Sequence, residues 1–272
     1  MAFTFLSKSK ITHALVYQYG KVGSRTILST IQKSNPEIVV HHCHFLTDSY
    51  IQYFEQIIAF PDTCQEAKSD LRVAINATIE ARRMMNSISP SQLCVITGFR
   101  DPLERAISAY LHNIHYYLRD LTFGVNRLEE EVMLACEKFD ELFNNAFIQS
   151  PSGFVGLFSR WLLGASVFWF EEEFYPTFGV NMYSKRLGDK EVIRIKKAGT
   201  TFIFYRFESF TRNLKSIISS LPIRKFQQSN DNISEEKPYG ALLKEFRRRF
   251  NPSPEMLDFF YNSRFYKHFY KG

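Results

Sequence analysis

Short apolar runs alternate with longer amphipathic segments along this chain. Four runs have the length of strands: THALVYQY (12–19), EIVVHHCHFL (37–46), QLCVITGF (92–99) and TTFIFYRF (200–207). The segments between them predict helices: 25–34, 48–60, 64–86, 101–118, 126–150 and 154–175. Because strands that alternate with helices build a parallel sheet covered on both faces, the pattern predicts an α/β fold with a central, mostly parallel sheet.

The last part of the chain continues this pattern less regularly. FTRNLKSIISSL (210–221) predicts a helix, Pro222 to Pro238 predict a polar loop, and the basic, aromatic tail 245–270 predicts further helix. The sequence contains no internal repeat and no low-complexity segment. A chain of 272 residues is the size of one sizeable domain, so we expect a single domain spanning residues 1–272.

A glycine-containing stretch, YGKVGSRT, follows the first predicted strand and opens the first predicted helix. A helix that begins after such a turn offers unpaired backbone N–H groups and the positive end of its dipole to an anion. Gly23 permits close approach of the backbone, and four side chains add donors and charge: Lys21, Ser24, Arg25 and Thr26. The loop is P-loop-like, but Gly20 and Gly23 are too close in sequence for the ATP-binding form. An ordinary strand-to-helix turn is the alternative.

A second motif, FRDPLERAISAY, follows the third predicted strand. Asp101 is placed to cap the helix, with Glu104 three residues later. Arg100 leaves the sheet, and Ser108 follows eight residues later, about two helical turns into the helix. Both side chains suit a phosphate. In the alternative interpretation, Arg100 pairs with Asp101 or Glu104, and Ser108 is a neutral helix residue. Both motifs fall at the carboxyl ends of strands, where open α/β sheets bind ligands.

Together the motifs resemble the two phosphate-binding elements of the sulfotransferase superfamily, whose sulfuryl donor is 3′-phosphoadenosine 5′-phosphosulfate (PAPS). YGKVGSRT looks like the 5′-phosphosulfate loop, and RDPLERAISAY has the R-D-P-x-x-R-x-x-S-x-Y form of carbohydrate sulfotransferases. VVHHCHFL and YNSRFYKHFY are similar to bacterial capsular polysaccharide synthesis proteins, and FIFYRFESF resembles a late element of many sulfotransferases. The resemblance runs from Leu15 to Tyr270 and implies a sulfotransferase-like, P-loop-type fold.

The resemblance also implies a role for each matching residue. Lys21 would contact the leaving side of the sulfuryl group, and Arg100 and Ser108 would hold the 3′-phosphate. The 5′-phosphosulfate would be held by Gly23, Ser24, Arg25 and Thr26. The late R-K-G segment of many cytosolic members is missing, and Lys237 or a basic residue of IRKF (223–226) would replace it. The implied reaction moves the sulfuryl group from PAPS to a hydroxyl, or less readily an amine, of a glycan or small molecule, without a metal.

Three histidines in VVHHCHFL are candidates for the base that takes the acceptor's proton. Strand periodicity puts His42 and His44 on one face and His41 on the other. A histidine with an ordinary pKa of about 6.5 suits a general base at neutral pH. We expect His44, nearer the carboxyl end, to be the base, with His42 as the alternative and His41 structural. An H-x-H zinc site would need further ligands that the sequence does not place convincingly, so we expect no metal.

Composition narrows the class of partner. A formal net charge of +6 favours anionic partners such as nucleotides, although no nucleic-acid-binding motif is present. The basic run EFRRRF (245–250) is most simply a solvated helix face, with an anion-docking surface as the alternative. Aromatic residues make up 16% of the chain, enough for a core and a binding cleft. WLLGASVFWFEEEFYPTF (161–178) predicts core plus the wall of an acceptor cleft.

Sparse cysteines without a C-x-x-C pair are typical of reduced thiols in the cytosol. The sequence shows neither a signal peptide nor an apolar run long enough for a membrane span, so we expect a cytoplasmic protein. The sequence is also compatible with two other functions. One is a nucleotide-dependent kinase or phosphotransferase, for which neither the ATP-binding loop nor a magnesium-binding acidic pair is evident. The other is a non-catalytic nucleotide-binding module.

Overall fold

Five strands form one sheet in the computed structural model, which describes residues 11–119, 121, 127–184, 190–229 and 239–271. They are β1 (His13–Tyr17), β2 (Val39–Cys43), β3 (Leu93–Phe99), β4 (Val192–Lys197) and β5 (Thr200–Arg206). Their order across the sheet is β2-β1-β3-β5-β4. All are parallel except β4, which pairs antiparallel with β5 at the edge. The predicted α/β fold with a mostly parallel sheet is confirmed.

Helices connect and cover these strands. In the first half they are α1 (Ser24–Ser34), α2 (Asp48–Ala59), α3 (Gln65–Ser87), α4 (Pro102–His112) and α5 (Leu128–Phe143). In the second half they are α6 (Gly153–Trp169), α7 (Tyr175–Phe178), α8 (Phe210–Ile218), α9 (Gly240–Arg249), α10 (Pro254–Tyr261) and α11 (Arg264–Tyr270). The predicted helical tail is thus three short helices, because Pro254 and the capping side chains of Ser253 and Ser263 each begin a new one.

The two faces of the sheet are covered by different helices. On one face, Val16, Ile96 and Ile203 pack against buried side chains of α1 and α8. On the other, Leu15 and Val95 pack against α3, α6 and α11. A third apolar cluster joins α2, α4, α5, α6, α9 and α10 to one another. Burial on both faces explains why these strands read as continuous apolar runs in the sequence.

The edge strand β4 was not predicted. Its sequence, VIRIKK, carries three cations, and its side chains are partly or fully exposed. It turns into β5 at Ala198 and Gly199, both with positive φ (48° and 91°), as in the tight turns that join antiparallel strands. The sequence signal for this hairpin was the alternation of apolar and basic residues in VIRIKK, followed by Ala198 and Gly199 as a turn.

One helical segment, Gly153–Phe178, is long and apolar enough to cross a membrane by composition. It comprises α6, a π-helical turn at Phe170–Phe174, and α7. Of its most apolar window, 61% is buried inside the fold, as in the core helix of a soluble protein. It is the only such helix in the described part of the chain. The cytoplasmic location stays a prediction.

Candidate functional site

The loop between β1 and α1 has an unusual backbone. Gly20, Lys21 and Gly23 have φ values of 83°, 61° and 88°. Glycine adopts positive φ readily, whereas Lys21 does so at a conformational cost. Gly23 immediately precedes α1, and the first turn of that helix, which begins with Ser24, Arg25 and Thr26, contains no acidic residue. The positive end of the helix dipole therefore has no carboxylate of its own first turn beside it, which suits an anion.

Two buried polar side chains support this loop from beneath. Gln18 lies at the end of β1, and its Oε1 accepts a hydrogen bond of 3.0 Å from the backbone N–H of Gly98. The Tyr205 hydroxyl donates to the Val22 carbonyl and lies 3.0 Å from Gln18 Oε1. Both side chains are completely buried. The loop is therefore anchored to β3 and β5 as well as to its own strand.

Arg105 is a third support, and sequence reasoning missed it. Its side chain is 1% exposed, and its guanidinium donates to the carbonyls of Tyr19 and Leu162 and, at 3.4 Å, to that of Gly20. Burial lowers its pKa to about 10, so it stays charged at neutral pH. Backbone carbonyls thus take the place of a carboxylate as partners for this buried charge. Two sequence signals were available: Arg105 is the second arginine of the R-D-P-x-x-R pattern, and it lies between Leu103 and two apolar residues on α4.

Arg100 brings the two motifs together. Its Nη1 donates to the Lys21 carbonyl at 3.2 Å, and its guanidinium lies over the Phe207 ring at 4.6 Å from the centroid. β1 and β3 are neighbours in the sheet, whereas the chain passes from β1 to β2 on the other side. Both motifs therefore lie at the point where the strand order reverses, which is where open α/β sheets bind ligands.

Arg100 also has partners of its own. Its Nη2 lies 3.7 Å from Glu104 Oε2, and Arg247 of α9 lies 3.0 Å from the same carboxylate oxygen. Only 11% of the Arg100 side chain is exposed, and burial lowers its pKa. The alternative of an Arg100–Glu104 pair is therefore present in the structure. The Asp101 side chain instead caps α4, as predicted, by accepting a 3.0 Å hydrogen bond from the Glu104 N–H.

Ser108 lies two turns into α4 and is 5% exposed. The helix around it is buried over most of its circumference. A hydroxyl with so little exposure has limited access to a ligand in this conformation, so its contact with a phosphate stays a prediction.

The carboxyl end of β5 and the last helix meet the second motif. Glu208 Oε1 accepts a hydrogen bond of 2.8 Å from the Asp101 N–H and another of 3.0 Å from the Tyr270 hydroxyl. Arg206 donates to the Phe269 carbonyl at 2.6 Å and lies over the Tyr270 ring. These contacts hold helix α11 beside the second motif.

His44 lies next to the loop. Its ring approaches Gly20 so closely that a Cβ there would be 3.5 Å from His44 Cε1. Its Nδ1 is 2.6 Å from the Gln18 carbonyl oxygen. A carbonyl only accepts, so Nδ1 carries the proton and Nε2 carries the lone pair. Burial lowers the pKa of His44 below 6.5, with a further contribution from the Arg105 charge and an opposing one from Gln18. The imidazole is therefore a neutral acceptor at neutral pH.

The other two histidines of this strand differ from His44. His42 and His44 are together, with ring centroids 4.6 Å apart, and His41 instead stacks with His13 at 6.5 Å, as the strand periodicity predicted. Burial lowers the pKa of His42 to about 3, and the charges of His44 and Arg25 contribute. His42 Nε2 is buried, with no hydrogen-bond partner in the described part of the chain.

Glu173 fixes the turn that carries His44. Its side chain is completely buried. Oε1 accepts from the Tyr17 hydroxyl and from the N–H groups of Leu46 and Thr47, and Oε2 accepts from the Thr47 hydroxyl. Burial raises the pKa of this carboxyl, and the hydrogen bonds oppose the rise. Sequence reasoning missed Glu173 because it is the last of three consecutive glutamates, a run that predicts exposure.

The sequence offered two replacements for the missing R-K-G segment, Lys237 and a basic residue of IRKF (223–226), and the structure argues against the second. Arg224 of IRKF pairs with Glu37, which precedes β2, and the Lys225 N–H donates to the Ser34 carbonyl at the end of α1. Both lie at the amino-terminal edge of the sheet, opposite the loops, so this part of the expectation was wrong. Lys237 lies outside the described residues. The late basic residue that the structure does bring to Arg100 is Arg247, in the run interpreted as a solvated face.

In the described part of the chain, no group of three or more His, Cys, Asp or Glu residues is arranged to hold a metal ion.

No family model matches the chain, and no curated protein and no solved structure matches it significantly.

Proposed function

We propose that this protein is a sulfotransferase with a sulfotransferase-like P-loop-type fold. It would transfer the sulfuryl group of PAPS to a hydroxyl of a glycan or small molecule. The observation that carries the proposal is the hydrogen bond from Arg100 to the Lys21 carbonyl, which joins the two turns at the switch point of the sheet. A ligand with phosphates at both ends of an adenosine suits two such turns.

Each part of the loop has a task in this reaction. The N–H groups at the start of α1, with Ser24, Arg25 and Thr26, would hold the 5′-phosphosulfate. As the acceptor oxygen forms its bond to sulfur, the bond from sulfur to the bridging oxygen breaks, and negative charge grows on that oxygen. Lys21 would stabilise this charge, so its effect is larger in the transition state than in the ground state. The supports beneath the loop keep these donors in place before the reaction.

His44 is the proposed general base. Its Nδ1 proton is engaged by the Gln18 carbonyl, which leaves Nε2 to take the proton of the attacking hydroxyl. The lowered pKa keeps this nitrogen unprotonated at neutral pH. The product of the donor is adenosine 3′,5′-bisphosphate, and the acceptor leaves as a sulfate ester.

The 3′-phosphate would bind at Arg100, with Ser108 as the expected hydroxyl donor. Because Glu104 holds both Arg100 and Arg247, phosphate binding would exchange one carboxylate for a more highly charged anion. Arg247 would therefore be the late basic residue that contacts the 3′-phosphate, in place of Lys237.

Ligand-dependent melting tests this function. We expect adenosine 3′,5′-bisphosphate to raise the melting temperature, because a ligand that binds only the folded state stabilises it. ATP with magnesium should produce a smaller shift or none. A larger shift with ATP and magnesium would contradict the proposal and favour a kinase, and no shift with either nucleotide would remove the nucleotide site.

A further inference from the structure

A groove of about 420 Å³ runs between α2 and α6, and no step of the proposed reaction uses it. Its lining residues include Tyr50, Tyr53, Arg160, Trp161, Phe168 and Glu172. Its volume lies within the range of small-molecule sites. The residues from α6 recur at helical spacing, so one face of that helix forms the wall of the groove.

The lining combines ring surfaces with a few polar groups. Four of the residues are aromatic, and the Tyr50 hydroxyl donates to Glu172 Oε2 at 3.1 Å. The Arg160 guanidinium lies 5.4 Å from the Phe168 ring centroid. Glu172 is exposed and presents carboxylate oxygens that accept hydrogen bonds, whereas Arg160 presents donors. A purely apolar ligand would offer no polar group to either Arg160 or Glu172, whereas a ligand with hydroxyl groups can bond to both.

The helix that forms the groove wall also contacts the proposed reaction centre. Arg105 donates to the Leu162 carbonyl, beside Trp161, and on its other side to the carbonyls of Tyr19 and Gly20. Helix α6 and the loop are thus linked through one guanidinium. On the same helix, Trp169 Nε1 donates to the His44 carbonyl at 2.7 Å.

We infer that this groove binds the sugar rings of an uncharged oligosaccharide acceptor. Sugar rings have C–H faces that pack on aromatic side chains, and their hydroxyls donate to a carboxylate and accept from a guanidinium. The pair of opposite charges gives the groove no net preference for a charged ligand. As an acceptor site this inference rests on the proposed function, which it deepens by selecting a glycan over a small apolar molecule.

Saccharide binding is measurable without the sulfuryl donor. The chain has two tryptophans, of which Trp169 is completely buried and Trp161 lines the groove. We expect short cello-, chito- or malto-oligosaccharides to change tryptophan emission in a saturable way. Glu172→Gln should weaken the apparent affinity about tenfold, because a charged hydrogen-bond acceptor is lost. The exposed position of Glu172 keeps the substitution out of the core, unlike one at Trp161, which packs on buried Phe54.

Glu171→Gln is the matched control, because Glu171 is also exposed, precedes Glu172 in the chain and pairs with Arg264 outside the groove. It should leave saccharide affinity unchanged. The inference is overturned if none of the oligosaccharides changes the emission, if the two variants weaken binding equally, or if 4-nitrophenol binds in the groove and the oligosaccharides do not.

The outcome separates the groove from the proposed reaction. Lys21→Ala should retain saccharide affinity, since Lys21 does not line the groove. If the protein binds saccharides but not adenosine 3′,5′-bisphosphate, the groove is supported as a saccharide site and the sulfotransferase function is contradicted. If it binds the nucleotide but no saccharide, only the proposal for the groove is contradicted.

Discussion

The turn after β1 and the turn after β3 differ in how their positive groups are used. The first contains three residues with positive φ, and no acidic residue lies in the first turn of the helix that follows. The second places Arg100 against the Lys21 carbonyl, the Phe207 ring and, at 3.7 Å, Glu104. One turn is prepared for an anion by its backbone. The other holds its charge among protein partners, one of which a ligand would have to replace in the proposed function.

This difference predicts a division of labour. Lys21 holds a positive φ at a conformational cost, so the backbone of the first turn is preorganised. In the proposed transfer it would contribute mainly to the transition state. A side chain that must exchange Glu104 for a phosphate contributes mainly to affinity and to selection of the 3′-phosphorylated nucleotide. Substitutions in the first turn should therefore lower turnover, and those in the second should weaken donor binding.

The largest effect is expected for Lys21→Ala. Loss of the charge that stabilises the leaving oxygen should lower kcat about 10³-fold. Donor affinity should fall much less, and the melting temperature should stay close to that of the unmodified protein. Lys33→Ala, in the last turn of the helix that follows this loop, is the control. A kcat within threefold of the unmodified protein, about 0.6 kcal/mol, would contradict the role of the first turn.

Arg105→Met tests the support beneath the first turn. The substitution leaves the carbonyls of Tyr19 and Leu162 buried without their donor, so the free energy of unfolding should fall by about 3 kcal/mol. Chemical denaturation measures this loss. Arg83→Met, at an exposed residue of α3 paired with Glu80, should cost less than about 1 kcal/mol. Equal losses in the two variants would show that Arg105 does not hold the loop.

His44→Ala should lower kcat about 10²-fold with unchanged donor affinity, because a general base is lost. The pH dependence adds a second readout. The base acts unprotonated, so the rate of the unmodified protein should fall as the pH drops through the His44 pKa, which burial places below 6.5. His44→Ala should lose this acidic limb, and His42→Ala should keep it. The reverse result would make His42 the base.

Glu104→Gln should have the smallest effect, and in the opposite direction. Without the carboxylate that holds Arg100 and Arg247, adenosine 3′,5′-bisphosphate should bind about threefold more tightly, the scale of a partly exposed ion pair. Isothermal titration calorimetry measures the change. Weaker binding would mean that Glu104 positions Arg100 for the ligand rather than competing with it.

Much of the fold was predictable because its parallel strands are buried on both faces. All seven residues of β3 are buried, and the predicted run 92–99 ends with the observed strand and begins one residue before it. β4 was missed because an edge strand carries the cations of VIRIKK, which resemble a solvated loop. The Asp101 cap was predictable because it depends only on residues three apart in sequence.

For the candidate site, the sequence indicated positions at the strand ends but not the contacts that the side chains make there. Arg105 and Glu173 can be buried because carbonyls and N–H groups from distant segments of the chain bond to them. The residues next to them in the sequence do not predict these contacts. The preference for His44 came from its place at the strand end, but the protonation of its Nδ1 depends on the Gln18 carbonyl of the adjacent chain segment. Such information appears only when the register of β1 and β2 is known.

The central claim is that the two turns hold opposite ends of one nucleotide. The most direct test compares the affinities of adenosine 3′,5′-bisphosphate and adenosine 5′-monophosphate for the unmodified protein and for Arg100→Ala. The account predicts that the 3′-phosphate strengthens binding about 30-fold in the unmodified protein, the effect of a charge-assisted contact, and hardly at all in Arg100→Ala. An equal gain from the 3′-phosphate in both proteins would contradict it.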